Sequence, residues 1–136
     1  MKLAADTSVL IASFASWHEH HDLAFLATGR TDAVVGHCLI ETFSVLTRLP
    51  APHRMTAEVV SEFIERTFAD HTVVALPPDE HRELVSGAAA LGITGGAIYD
   101  ALIGATCAKA GLKLLTLDGR ARQTYAALGV AHEMLS

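Results

Sequence analysis

Four short apolar runs set the limits on what this chain can fold into. They are Lys2–Ala5 (KLAA), Ala33–Gly36 (AVVG), Thr72–Ala75 (TVVA) and Lys113–Leu117 (KLLTL). Runs this short and this apolar read as buried strands, the kind found in parallel sheets covered on both faces. The segments between them are helical in character. Thr7 or Ser8 can cap a helix running to Phe14, and Trp17–Thr28 reads as a second, stopped by Gly29. His37–Leu49 (HCLIETFSVLTRL) is closed by Pro50 and Pro52. Thr56–Phe68 carries the clearest stripe, with Val59, Val60, Phe63, Ile64 and Phe68 on one face and the acids mainly off it. Asp79–Leu91, Ala97–Ala110 and Arg120–Leu128 complete the helices, and a short strand follows Gly129. Short strands alternating with helices, with no repeat or linker, predict one α/β domain over residues 1–136 around a central parallel sheet flanked by helices.

The chain has 10 basic and 15 acidic residues, a formal net charge of −5, so it is a poor general binder of nucleic acid. A nucleic-acid substrate would need a local basic patch or a bound metal cation to draw it in. No apolar run approaches the roughly 20 residues of a membrane span, and no secretory signal is visible. Cys38 and Cys107 lie in apolar helix-like segments without CxxC spacing, which reads as buried packing in a reducing, cytoplasmic setting. An apolar content of 51% is high for a small domain and predicts that a partner covers part of the surface.

Most of the acids sit on polar helix faces. Asp6 in LAADTSVL, Glu41 in CLIETFSVL, Asp100 in GGAIYDALIGA and Asp118 in LLTLDGR do not. Asp6 and Asp118 each follow a buried-type strand, and parallel α/β sheets build their sites beyond the carboxyl ends of the strands. Glu41 and Asp100 lie about a turn into helices that can start at the same edge. Taken singly, Asp6 and Asp118 are equally helix caps or turn residues, Glu41 an exposed helix position, and Asp100 a stabiliser of a helix N-terminus. Together they predict one acidic site. Four carboxylates without bases repel one another, and a divalent cation relieves this. Oxygen-only ligands suit Mg2+, with Mn2+ possible, and such a site serves phosphodiester hydrolysis.

These residues resemble those of the PIN-domain ribonucleases, specifically the VapC-type toxins of toxin–antitoxin pairs. The motifs are DTSVL from Asp6, ETFSVLTRL from Glu41, and YDALIGATCAKAGLKLLTLD from Tyr99, in order over essentially the whole chain. The resemblance implies a PIN-like fold, magnesium- or manganese-dependent endoribonuclease activity on RNA, and neutralisation by a cognate antitoxin. The assembly it implies is a homodimer or a toxin–antitoxin hetero-oligomer. Asp6, Glu41, Asp100 and Asp118 match the family's acidic quartet, catalytic and metal-holding. Thr116 and Ser8 match hydroxyl positions that can contact water or phosphate, although capping and strand-end hydrogen bonding suit Ser8 better. The continuation GRARQTY departs from the family pattern, placing Arg120 and Arg122 where they either hold the RNA backbone or lie on a solvated helix face.

Rival readings are a degenerate PIN module that only binds a partner, and a metal-dependent phosphatase with Asp6 as nucleophile. The phosphatase would want a lysine near the acids, and Lys109 and Lys113 are poorly placed for that. WHEHHD, with His18, His20 and His21, is not HExxH and reads as a surface or partner-facing stretch.

Overall fold

The structure is a computed structural model that describes residues 1–136. Five strands, β1 (Lys2–Ala5), β2 (Ala33–Val35), β3 (Thr72–Val74), β4 (Leu112–Thr116) and β5 (His132–Met134), are all paired in parallel. The seven α-helices are α1 (Thr7–Phe14), α2 (His21–Thr28), α3 (Gly36–Arg48), α4 (Ala57–Thr67), α5 (His81–Ala90), α6 (Ala97–Ala110) and α7 (Gly119–Ala127). The ladders run β1-β4-β5 and β2-β3. Asp32 joins the two groups: its N–H donates to the Leu3 carbonyl at 2.9 Å, and its carboxylate accepts from the Leu3 N–H at 3.1 Å.

The core explains why β1, β2 and β4 read as continuous apolar runs, whereas β3 is not the buried strand its sequence suggests, since Thr72 and Val73 are exposed. Ala4, Ala5, Val34, Val35, Leu114 and Leu115 are all buried, so neighbouring residues are covered on opposite faces of the sheet. Phe14 of α1 packs against Phe63 and Phe68, which ties the striped face of α4 to the core. Thr56 caps α4 as its position predicts, accepting from the Val59 N–H at 3.3 Å.

Three further details depart from the sequence reading. The cap of α1 is Asp6, as one of its two sequence readings had it, and not Thr7 or Ser8: its carboxylate accepts from the Val9 N–H, and its backbone is extended. Helix α2 starts at His21 rather than Trp17. His18–His21 turn instead, with the His21 N–H donating to the His18 carbonyl at 3.0 Å and His21 Nδ1 lying 2.8 Å from the Ala12 carbonyl. The segment from Asp79 opens as a short 3-10 turn, Pro78–Glu80, because Pro78 fixes the first residue there, and α5 follows from His81.

Candidate active site

Parallel pairing of β1 with β4 aligns Ala5 with Leu115, which sets Asp6 level with Thr116 at the carboxyl edge of the sheet. The Asp6 N–H continues the ladder to the Leu115 carbonyl at 2.9 Å. Helix α3 leaves β2 directly and brings Glu41 to the same edge, while α6 brings Asp100. The result is a pocket of about 190 Å³ lined by Asp6, Ser8, Glu41, Asp100 and Asp118, with Thr7 at its wall. All four carboxylates singled out in the sequence converge there.

No lysine or arginine pairs with any of them. Lys109 is bound to Glu80 at 3.1 Å and Lys113 to Glu133 at 3.0 Å. The nearest basic side chain to the acids is His37, whose Nε2 lies 4.0 Å from Glu41 Oε1. Electrostatics record the crowding. The Asp100 carboxyl is pushed up from 3.8 to about 6, first by burial and then by the charges of Asp118, Asp6 and Glu41. Burial also raises the Asp6 carboxyl above its ordinary range, although four hydrogen-bond donors pull the other way.

Those donors hold Asp6 firmly. Ser8 Oγ donates to Asp6 Oδ1 at 2.5 Å, and the Tyr125 hydroxyl donates to Asp6 Oδ2 at 2.8 Å. The Ser8 hydroxyl also accepts from the Leu117 N–H at 3.0 Å and lies 3.5 Å from Thr116 Oγ1. Thr116 Oγ1 in turn accepts from the Asp118 N–H at 3.0 Å, and Asp118 caps α7 by accepting from the Arg120 N–H at 2.9 Å. Ser8 and Thr116 therefore strap the ends of β1 and β4 together. Ser8 lines the pocket, and Thr116 is fully buried. Cap and pocket residue, offered by the sequence as alternatives for Asp6 and Asp118, coexist in both. Glu41 is anchored by the Thr7 hydroxyl at 2.5 Å.

Tyr125 is the site residue that sequence reasoning missed. It is fully buried 119 positions away from Asp6, and its own proton is held well above the ordinary range by burial and the Asp6 charge. Gly104 of α6 makes room for it: a Cβ there would meet Tyr125 Cδ1 at 3.2 Å. The glycine inside a small-residue helix was the available signal.

Arg120 and Arg122 are exposed and line a groove of about 890 Å³ that shares Asp118 with the acid pocket. The histidines of WHEHHD lie elsewhere, and Cys38 and Cys107 are buried free thiols, as read. Burial raises both thiols, Cys107 to about 12, which leaves them inert packing groups.

The oxygen-only donor set, the missing counter-charge and the raised Asp100 carboxyl fit a hard divalent cation. The oxygens are not already gathered as a shell: no three His, Cys, Asp or Glu side chains close around one point. Asp6, Glu41, Asp100 and Asp118 are the residues that could hold such a cation.

Residues 4–127 match the family described as PIN domain. Ribonuclease VapC40 of Mycobacterium tuberculosis is 44% identical over 134 residues, covering 98% of this chain and 99% of the relative. The crystal structure of Mycobacterium tuberculosis VapC20, described as a Sarcin-Ricin loop cleaving toxin, superposes with TM-score 0.72 at 22% identity, over 96% of this chain and 97% of that one. DNA-bound VapBC from Salmonella typhimurium superposes with TM-score 0.69 at 20% identity, over 98% of both chains. By the span of the domain match and the identity to a full-length relative, the chain belongs to the PIN-domain family and to its VapC ribonucleases.

Proposed function

We propose that this protein is the toxin of a type II toxin–antitoxin pair, an endoribonuclease that hydrolyses RNA with a divalent cation, Mg2+ in the first place, held by Asp6, Glu41, Asp100 and Asp118. The observation that carries this is the convergence of the four carboxylates in one pocket with no lysine or arginine among them. A bound cation would lower the pKa of an attacking water and offset charge on the leaving oxygen. Asp6, fixed on both oxygens, supplies the rigid wall of the site. Thr7 orients Glu41, and Asp100, which holds its proton up to about pH 6, is the acid most eased by a cation. Arg120 and Arg122 hold the RNA backbone beside Asp118.

The antitoxin is the partner that the apolar surface calls for. A groove of about 590 Å³ between α1, α2 and α4 is lined by Phe14, Phe25, Phe63 and Thr67, and Phe25 is 61% exposed. We assign the antitoxin to this face, with a basic residue reaching toward the acids, in a homodimer or toxin–antitoxin hetero-oligomer. No helix is long and apolar enough to cross a membrane, and RNA as substrate places the action in the cytoplasm. The test is cleavage of mixed RNA by the purified protein with magnesium, manganese or a chelator. Cutting that requires the divalent ion supports the reading. A chain that binds its partner but never cuts RNA would be a binding module, and one that releases phosphate from small esters instead would be a phosphatase.

A further inference from the structure

Tyr99 immediately precedes Asp100 in α6, and His37 precedes Glu41 by one turn of α3. Their rings stack with centroids 5.4 Å apart and planes 5° from parallel, the offset arrangement that aromatic pairs favour. The pair bridges the two helices that deliver Glu41 and Asp100. The His37 side chain is 26% exposed and its Nε2 makes no hydrogen bond, so stacking and packing set its ring, not a polar partner. Tyr99 is 52% exposed. An exposed aromatic ring is ordinary on a protein surface. This one is backed on one face by an imidazole that itself lies 4.0 Å from a pocket carboxylate.

We propose that Tyr99, backed by His37, is a stacking platform for an unpaired nucleobase next to the RNA phosphate that is cut. The inference rests on the ribonuclease reading and names how that site holds its substrate. Net charge −5 and four clustered acids limit what the RNA backbone alone contributes beside the pocket, even with Arg120 and Arg122 in the adjoining groove. A base face carries no charge and can contribute affinity there. Stacking on an aromatic side chain needs that face free, which selects loops, bulges and single strands over duplex. The ring stands at the rim of the pocket and not in its wall: Tyr99 adjoins Asp100 in α6, and its stacking partner His37 lies 4.0 Å from the pocket carboxylate of Glu41. That placement favours a substrate contact over a contact with a protein partner.

The experiment uses RNA stem-loops with 2-aminopurine walked through the loop, bound in calcium where they remain uncut. A parallel assay measures cleavage kinetics in magnesium. Binding to wild type and Tyr99→Phe should quench 2-aminopurine at one loop position, and Tyr99→Leu should lose that quench. Tyr99→Leu should also raise KM roughly tenfold, with kcat nearly unchanged and Tyr99→Phe close to wild type. Equal quenching and equal KM in Tyr99→Leu, beside a wild type that cuts RNA, would overturn the platform and leave the ribonuclease reading standing. Loss of antitoxin affinity alone in Tyr99→Leu would also overturn it, making the ring a protein contact. A wild type that never cuts RNA would bring down the ribonuclease reading, while the quench would still report on the platform.

Discussion

The acid pocket and the arginine groove share Asp118 and are built in opposite ways. In the pocket, two of the four carboxylates are fastened to the scaffold by side chains: Asp6 by Ser8 and Tyr125, with the Val9 N–H, and Glu41 by Thr7. In the groove, the guanidinium groups of Arg120 and Arg122 make no hydrogen bond or ion pair with the protein, and both side chains are exposed on α7. The difference separates two tasks. Groups that surround a reacting phosphate need fixed positions, since small displacements cost much of the rate. Groups that collect a flexible polyanion need reach and charge, and rigidity gains them little. Unpaired charge costs more at the buried Asp6 and the half-buried Asp100 than at the exposed arginines of the groove.

The strongest way to break this contrast is to neutralise the most rigid acid. Asp6→Asn keeps the volume and removes the charge. Cleavage should fall by well over about a hundredfold, because losing a mere supporting partner of a metal ligand already costs roughly 10–100-fold. The fold should survive, because relieved repulsion offsets the one hydrogen bond that the amide NH2 can no longer accept. Full activity in Asp6→Asn, with magnesium as the only metal, would remove Asp6 from the site.

Tyr125→Phe sharpens the same point by one step. It deletes only the hydroxyl that fixes Asp6 Oδ2. Metal affinity or cleavage should drop by roughly 10–100-fold, while RNA binding driven by the groove holds. Calorimetry of metal binding beside a cleavage assay reads this directly. An unchanged metal affinity would mean that Ser8 and the Val9 N–H suffice to hold Asp6.

The acids were legible as a set: each alone has an ordinary reading as a cap, turn or helix-face residue, and only four of them beside strand ends and helix starts point to one site. Tyr125 was not. QTY reads as an unexceptional helix segment, and only the packing of α7 against α6 across Gly104 turns its hydroxyl toward Asp6. Asp32 hid for a similar reason. Nothing in the sequence marks it, and its two hydrogen bonds with Leu3 exist only once β1 and β2 lie side by side. The start of α2 was misplaced because Trp17–His20 holds no glycine or proline to mark a break, and the turn there is set by the contact of His21 with the Ala12 carbonyl. Local chemistry found the acids that line one pocket. The groups that position them depend on distant pairings, which one sequence does not reveal.

For the groove, Arg120→Ala with Arg122→Ala should weaken RNA binding broadly across sequences, measured in a metal that does not support cleavage. The slope of log affinity against log salt should fall by about one for each phosphate that the variant no longer neutralises. Metal affinity should hardly move, since arginine is not a ligand. Identical slopes in wild type and double variant would assign both side chains to a solvated helix face and send the search for a basic surface to Arg48 and Arg54.

The smallest expected effect concerns the proton on Asp100. Its carboxyl lies at about 6 in the folded protein against 3.8 ordinarily, through burial and the three neighbouring acids. A raised acid means that the folded state binds more protons than the unfolded one between those values. Its contribution to stability is therefore full below about 3.8 and is lost as pH rises through 6. Asp100→Asn carries no such charge at any pH. In chelator, the variant should melt above wild type at pH 7.5 by on the order of a few degrees, and the gap should close toward pH 4. Every other group is common to the two proteins, so the difference between them isolates Asp100. Saturating magnesium should reverse the order at pH 7.5, because the cation stabilises only the chain that keeps all four carboxylates. A gap in chelator that does not change with pH would mean that Asp100 does not feel the other acids, and the pocket would lose the repulsion that makes a cation necessary.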